Sequence, residues 1–160
     1  MAGLSLIAVL CLTSGLWLGA ESCSIGVECS RCEVGWSKFG CYCYKYYADP
    51  KTWVDGELAC RDLDANLASI HSSKEHQFLR SLVKKSAGSY VRTWAGGNDI
   101  SKEGAWMWSD GSDFEFTLWP RGEPNNHGKG EDCMEINFQN TNPNDTPCHT
   151  RKPYICSKSI

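Results

Sequence analysis

The spacing of apolar residues predicts two helices in the first half of the chain. Thr52 is a suitable N-cap for a helix that continues to about Leu63, with apolar residues near helical spacing along it. For a second helix, Ser72 and Glu75 have the spacing of a capping box, and Gly88 suits its end. One face of this second helix carries the apolar residues Phe78, Leu79, Leu82 and Val83.

Beyond Gly88 the helical spacing gives way to short segments that favour strands. Residues 90–94 and 106–108 are strand candidates, and residues 134–138 alternate apolar and polar positions as a half-buried strand does. Between the first two, residues 96–99 predict a turn because they combine glycine, asparagine and aspartate. Since helices come first and short strands follow, we expect the fold class to be α+β.

The N-terminal stretch differs from the rest of the chain. Residues 1–20 carry no charged side chain, and their apolar middle leads to Gly19 and Ala20, as in a secretory signal peptide. A membrane-spanning helix is the alternative interpretation, but the apolar stretch is short and interrupted by polar residues and glycine. We therefore expect a secreted, extracellular protein that loses residues 1–20 and has no membrane span.

The cysteines also indicate an oxidising compartment. The chain has ten of them, and the nine that follow Cys11 point to a disulfide framework. Because nine is odd, at least one either bridges to another chain or stays free. Zinc binding is a weaker interpretation: Cys29 and Cys32 have zinc-like spacing, but no second close pair follows at the distance of a zinc finger.

Length and charge limit the number of domains and the kind of partner. A chain of 160 residues suits one domain, which we place at residues 32–157 after an arm at residues 21–31. The net charge is −3 and no block of like charge stands out, so nucleic acid is not an expected partner.

A polar segment from residue 118 to residue 130 carries the candidate chemistry. It is rich in glycine, proline and asparagine, and loops of this length without regular structure are often functional. Calcium takes roughly six to eight oxygen ligands from carboxylates, amides and carbonyls. A suitable set of oxygen-bearing side chains lies in this segment and after it: Glu123, Asn125, Glu131, Asn144 and Asp145. The sequence therefore predicts a calcium site that orders the loop.

Several separate motifs resemble the C-type lectin domain. WPRGEPNN at residues 119–126, EDC at residues 131–133 and ND at residues 144–145 are similar to the calcium and sugar site of that family. Further similarities are GW at residues 35–36, WAGG at residues 94–97, WMWSDG at residues 106–111 and YIC at residues 154–156. The resemblance covers residues 32–156 and looks most like the soluble fish lectins, a group that includes venom lectins and type II antifreeze proteins.

The resemblance implies a fold of two helices with small antiparallel sheets, a long calcium-binding loop and disulfide bonds. The family pairs correspond to Cys32–Cys43, Cys60–Cys156 and Cys133–Cys148. Cys23, Cys29 and Cys41 remain. Our hypothesis for these three is one internal pair and one bridge between chains, which would give a disulfide-linked homodimer.

The resemblance also implies how sugar is bound. In the family, two neighbouring sugar hydroxyls complete the calcium shell, and each donates to a carboxylate and accepts from an amide. The accepting positions match Glu123 and Glu131, the donating positions match Asn125 and Asn144, and the remaining ligand matches Asp145. The order Glu-Pro-Asn accompanies mannose-type sugars in the family, so we expect a mannose-binding lectin whose partners are glycans or glycoproteins. Pro124 matches a cis-proline of the family.

A second calcium position occurs in some family members. The residues that correspond to it, beside the shared Glu131, are Asp99, Glu103, Asn126 and Asp132.

The same residues allow other functions. Glu123 and Glu131 also fit the paired carboxylates of a glycosidase, but the neighbouring amides make ion coordination the simpler interpretation, and we expect no enzymatic activity. On the same fold, the alternatives are an ice-binding type II antifreeze protein and a venom-type, protein-binding lectin-like domain.

Overall fold

The computed structural model describes residues 29–115, 118–128 and 130–160. The predicted signal peptide and the first part of the arm, including Cys23, lie outside these residues. Within the described ranges, no helix has the length and apolar character needed to cross a membrane.

Two helices and eight strands make up the regular structure of the described residues. The helices are α1 (Trp53–Arg61) and α2 (Ser73–Ala87). The strands are β1 (Ser37–Phe39), β2 (Tyr42–Lys51), β3 (Asn66–Leu67), β4 (Thr93–Asn98), β5 (Met107–Trp108), β6 (Cys133–Phe138), β7 (Asn142–Thr146) and β8 (Lys152–Ser159). The α+β class is confirmed.

Both helices begin where the sequence predicts. Thr52 Oγ1 accepts a hydrogen bond from the backbone N–H of Asp55 at 3.2 Å, and Ser72 Oγ accepts one from Glu75 at 3.1 Å. Helix α2 ends at Gly88, whose φ of 79° is in the left-handed region that glycine adopts without strain. The buried positions of α2 are Glu75, His76, Leu79 and Val83, while the predicted Phe78 and Leu82 are half-buried.

One hydrogen-bonded sheet joins all eight strands in the order β1-β2-β8-β4-β6-β7, with β3 on β8 and β5 on β4. The pairings are antiparallel except where β4 meets β8, at Trp94 and Tyr154. Strands β6 and β7 form a hairpin that places Asn144 opposite Glu135 and Asp145 opposite Met134. The candidate ligands Asn144 and Asp145 therefore lie on a strand that β6 supports.

The turn predicted at residues 96–99 is wrong, because Gly96 and Gly97 lie inside β4. A Cβ atom on Gly96 would lie 2.5 Å from the carbonyl oxygen of Leu67, and one on Gly97 would lie 2.8 Å from Met134 Cε. These glycines allow close packing across the sheet, which is the other role of glycine within a strand. The strand predicted at residues 90–94 begins only at Thr93.

The apolar core lies between the helices and the sheet. Trp94 and Trp108 are buried in it, and Trp106 is half-buried against Trp119. The three disulfide pairs implied by the family are confirmed, and Cys29–Cys41 is a fourth.

Candidate calcium and sugar site

Asp145 ties the candidate loop to the sheet. Its side chain is 1% exposed. The backbone N–H of Asn125 donates to its Oδ1 at 3.2 Å and to its Oδ2 at 3.0 Å, and the N–H of Asn126 donates to Oδ2 at 2.6 Å. Strand β7 thus holds the loop through one carboxylate, next to the cis peptide bond between Glu123 and Pro124.

Glu123 lies beside Asp145. The amide Nδ2 of Asn125 donates to Glu123 Oε2 at 2.7 Å, and the carboxyl groups of Glu123 and Asp145 lie within hydrogen-bonding reach of each other. Burial, followed by the hydrogen bond and the negative charge of Asp145, raises the pKa of Glu123 to about 6. Two facing carboxyls are stable when they share a proton or bind a cation.

Glu131 closes the loop from its other end. Its Oε2 accepts a hydrogen bond from the backbone N–H of His127 at 3.0 Å, and its own N–H donates to Asn126 Oδ1 at 3.0 Å. Its negative charge also contributes to the raised pKa of Glu123. The third carboxylate of the predicted set therefore lies in the same electrostatic environment as the first two.

Asn144 is next to Asp145 in sequence, but its amide nitrogen faces the interior. The residue is 5% exposed. Its Nδ2 donates to Glu135 Oε1 at 3.1 Å and also to the backbone carbonyl of Asp145. In this orientation its N–H groups are occupied, although the family resemblance assigns this amide a donor role toward sugar.

A second group of carboxylates adjoins the first. Asp99 is buried, and its Oδ2 accepts a hydrogen bond from Gly104 at 2.8 Å, while its Oδ1 has no hydrogen-bond partner in the described part of the chain. Burial raises the pKa of Asp99, and the charges of Asp132 and Asp145 add to this effect.

Glu103 and Asn126 complete this second group. Asn126 Nδ2 donates to Glu103 Oε2. Desolvation and the charges of Asp99, Asp132 and Asp145 raise the pKa of Glu103. The residues predicted for a second ion are therefore linked to one another, either by a hydrogen bond or by the effect of their charges on each other's pKa.

The chemistry of these side chains decides whether a cation could bind here. Among the described residues, no three His, Cys, Asp or Glu side chains are already grouped as metal ligands. The donor chemistry nevertheless fits calcium: Glu123 and Asp145 face each other, Glu131 is near, and Asp99 leaves a buried carboxylate oxygen without a donor.

Sequence reasoning missed a charged cluster behind Asn144. Glu135 was assigned to a half-buried strand, but it is 0% exposed because β6 lies between β4 and β7 in the sheet. Arg92 Nε donates to both of its carboxylate oxygens at 2.8 Å, and Lys152 Nζ lies 3.4 Å from Oε2. Glu135 is the only charged residue of β6, and this signal could have indicated the cluster, since a buried charge needs a partner.

Comparison with known proteins now identifies the family. Residues 49–158 match the sequence model of the family described as "Lectin C-type domain". The chain belongs to this family. Like other C-type lectins, it is a carbohydrate-binding domain and not an enzyme.

Individual relatives differ in what their names say they bind. This C-type lectin domain is 36% identical over 146 residues to the galactose-specific lectin nattectin of Thalassophryne nattereri, over 87% of this chain and 92% of the relative. The structure of herring type II antifreeze protein matches with a TM-score of 0.74 and 29% identity, over 81% of this chain and 99% of the other. The carbohydrate-recognition domain of cow CD23, crystallised in the presence of GlcNAc2Man3 oligosaccharide, matches with a TM-score of 0.73 and 29% identity, over 82% and 98%.

Proposed function

We propose that this C-type lectin domain binds mannose-type sugars through calcium. The observation that carries the proposal is the contact between the Glu123 and Asp145 carboxyls at the base of the loop, with Glu131 close enough to affect them. The negative charges of Asp145 and Glu131 both act on Glu123, a repulsion that a cation would relieve, and calcium accepts carboxylate and amide oxygens together. The proposed ligands are Glu123, Asn125, Glu131, Asn144 and Asp145.

Each ligand residue has a task that its contacts support. Asp145 fixes the backbone of the loop, so that Glu123 and Asn125 are held over β7. Asn125 gives one amide hydrogen to Glu123 and keeps a second one for a sugar hydroxyl. Glu123 and Glu131 offer carboxylate oxygens that accept from hydroxyls. Calcium, when bound, would neutralise these carboxylates and bind two neighbouring hydroxyl oxygens directly.

The Glu-Pro-Asn order at residues 123–125 favours mannose-type over galactose-type sugars. The likeness to a CD23 domain crystallised with a mannose-containing oligosaccharide supports this choice. The name of nattectin points instead to galactose. Specificity therefore has to be tested with both sugars.

The test is affinity chromatography on immobilised mannose. In calcium the protein should be retained, and it should be eluted by free mannose or by a chelator but not by galactose. The double variant Glu123→Gln/Asn125→Asp should lose retention, while Glu33→Gln, in an exposed ion pair with Lys158, should behave like wild type. Elution by galactose alone would overturn the specificity, and retention in chelator would overturn the role of calcium.

A second calcium ion is a further part of this proposal. Its ligands would include Asp99, Glu103, Asn126 and Asp132, and the partnerless Oδ1 of Asp99 supports it. Calorimetric titration should then give two ions per chain, and Asp99→Asn should reduce this to one. A wild-type stoichiometry of one would remove the second site and leave the first.

Ice binding is the second candidate function, because the herring type II antifreeze protein shares this fold over nearly its whole length. A measurement of thermal hysteresis separates the two functions. A freezing-point gap in calcium without retention on mannose would favour ice binding.

We also propose that the protein is secreted after loss of residues 1–20 and forms a disulfide-linked homodimer. The four disulfides take eight of the nine cysteines that follow Cys11, and Cys23 is the ninth by count. A bivalent lectin would gain avidity for multivalent glycans. On a gel without reductant, wild type should migrate as a dimer and Cys23→Ser as a monomer; a wild-type monomer would contradict the bridge.

A further inference from the structure

A buried carboxylate lies directly behind the proposed calcium site. Glu135 is 0% exposed, and both of its oxygens accept hydrogen bonds from Arg92 Nε at 2.8 Å. Lys152 Nζ lies 3.4 Å from Oε2 and 4.6 Å from the centre of the Trp94 ring. Cations on two sides therefore compensate the burial of this charge and fix where its oxygens point.

Asn144 also donates to this carboxylate. Nδ2 of Asn144 donates to Glu135 Oε1 at 3.1 Å and to the backbone carbonyl of Asp145. In the described part of the chain, Oδ1 of Asn144 accepts no hydrogen bond. Both amide hydrogens are thus used inside the protein, and the amide oxygen is the atom left for a ligand.

The direction of this amide follows from the charge beside it. A carboxylate only accepts hydrogen bonds, whereas a side-chain amide has one accepting and one donating end. If the amide were reversed, its oxygen would meet Glu135 Oε1 and repel it. The Glu135 carboxylate therefore holds the nitrogen of Asn144 inward and leaves the amide oxygen for a ligand.

We propose that Glu135 is a positioning residue of the calcium site, which turns Asn144 so that its amide oxygen is the ligand atom. This inference rests on the function proposed above. Arg92 and Lys152 hold Glu135 in place. Hydrogen-bond partners that orient metal ligands in this way typically change metal affinity by roughly 10- to 100-fold when they are replaced.

The decisive variant is Glu135→Gln. Glutamine has nearly the same shape, but its amide can donate or accept toward Asn144, so it no longer decides which end of Asn144 faces outward. We expect the Kd for calcium, measured by titration calorimetry, to rise by about tenfold or more. The rise in Tm that calcium produces should shrink accordingly.

Stability in chelator separates positioning from a merely structural role. A structural role lowers the Tm equally with and without calcium, and leaves the Kd unchanged. The matched control is Glu75→Gln, since Glu75 is also buried but binds Tyr44 Oη and the N–H of His71 at the start of α2. This control should lower the Tm in both conditions and keep the Kd of wild type.

A second variant keeps the inference testable if Glu135→Gln does not fold. Arg92→Gln leaves the carboxylate in place but removes the guanidinium that fixes it, and Arg92 is half exposed, so folding should survive. We expect its Kd for calcium to rise by about threefold, less than for Glu135→Gln. Calcium binding of wild-type strength in every variant that folds would overturn the inference, whereas no binding by wild type would overturn the proposed function itself.

Discussion

Two regions of the molecule hold their carboxylates in different ways. In the helix region, formed by α1, α2, β2 and β8, Glu75 accepts hydrogen bonds from Tyr44 Oη and from the backbone N–H of His71. The loop region consists of residues 118–128 and 130–132 with the adjoining ends of β4, β6 and β7. Here Glu123 faces the carboxyl of Asp145. In the helix region, protein groups supply the hydrogen bonds that the Glu75 carboxylate needs. The loop region instead has an excess of negative groups that a cation would balance.

The same contrast holds for apolar burial. The helix region buries Leu79, Val83 and Ile155 in the core. In the loop region, Leu118 and Trp119 also pack against this core, but the segment around Asn125 and Asn126 is held by hydrogen bonds to the Asp145 carboxylate. We therefore expect apolar burial and disulfides to determine the stability of the fold, and an ion to determine the order of the site.

Removing disulfides should give the largest effects and test this contrast. The Cys60–Cys156 bridge in the helix region closes a segment with a sequence separation of 96, and Cys133–Cys148 in the loop region has a separation of 15. Because a longer closed loop restricts the unfolded chain more, replacing the first pair by alanine should cost about 4–5 kcal/mol and the second about 3 kcal/mol. Urea unfolding in chelator measures both.

The effects of these two variants on calcium binding should have the opposite order: the pair whose loss costs less stability should have the larger effect on the Kd for calcium. Loss of Cys133–Cys148 should weaken calcium binding, because this bridge joins the first residue of β6 to the chain after β7. Loss of Cys60–Cys156 should leave the Kd near that of wild type as long as the protein folds. If both variants changed the Kd for calcium by the same factor, calcium binding would not depend on the loop region more than on the helix region.

The pH dependence of the helix region rests on His76. Burial, with a smaller contribution from the charge of Arg80, lowers the pKa of His76 from 6.5 to about 4, and its Nε2 is buried without a partner among the described residues. The unfolded chain therefore takes up a proton below about pH 6.5 that the folded protein refuses until about pH 4. Stability should fall over this window by on the order of 3 kcal/mol.

The variant His76→Gln should flatten this part of the profile. Urea midpoints between about pH 7 and about pH 4, measured in chelator for both proteins, give the difference that belongs to His76. Parallel profiles would show that the histidine does not contribute to acid sensitivity.

The loop region should respond to pH in the opposite direction, by a smaller amount. The pKa of Glu123 is raised from 4.5 to about 6, so the ion-free folded protein holds this proton more tightly than the unfolded chain does. The repulsion is present above about pH 6 and is relieved as the pH falls through that value. At neutral pH, Glu123→Gln should therefore stabilise the ion-free protein, by less than about 1 kcal/mol because the group is partly solvated.

The same variant should have the opposite effect in calcium, where it removes a ligand. Thermal unfolding of Glu123→Gln and wild type, each in chelator and in calcium, gives the four values needed. A variant that is less stable than wild type in chelator would contradict repulsion at this site.

Local features of the sequence predicted the helix region well. The caps at Thr52 and Ser72 and the stop at Gly88 depend on residues within one helical turn, so their hydrogen bonds can be inferred from spacing. Gly96 and Gly97 were misassigned to a turn because their role depends on Leu67 and Met134, which are distant in sequence. A contact between strands leaves no local signal.

In the loop region, too, contacts between residues distant in sequence could not be predicted. The spacing of Glu123, Asn125 and Asp145 indicated that they act together, and the backbone hydrogen bonds from the loop to Asp145 agree with this. The inward turn of Asn144 could not be inferred, because it depends on Glu135 being buried at the centre of the sheet and on Arg92 lying beside it. Burial of a charge is a property of the assembled sheet.

Calorimetric titration of calcium into wild type and Asp145→Asn tests whether calcium completes the loop region. Wild type should bind calcium, and at about 100 times its Kd the ion should stabilise the fold by about 2.7 kcal/mol. Asp145→Asn should lose this binding while retaining the helix region, which far-ultraviolet circular dichroism would show. Absence of calcium binding by wild type, or equal binding by both proteins, would show that calcium does not complete the loop region through Asp145.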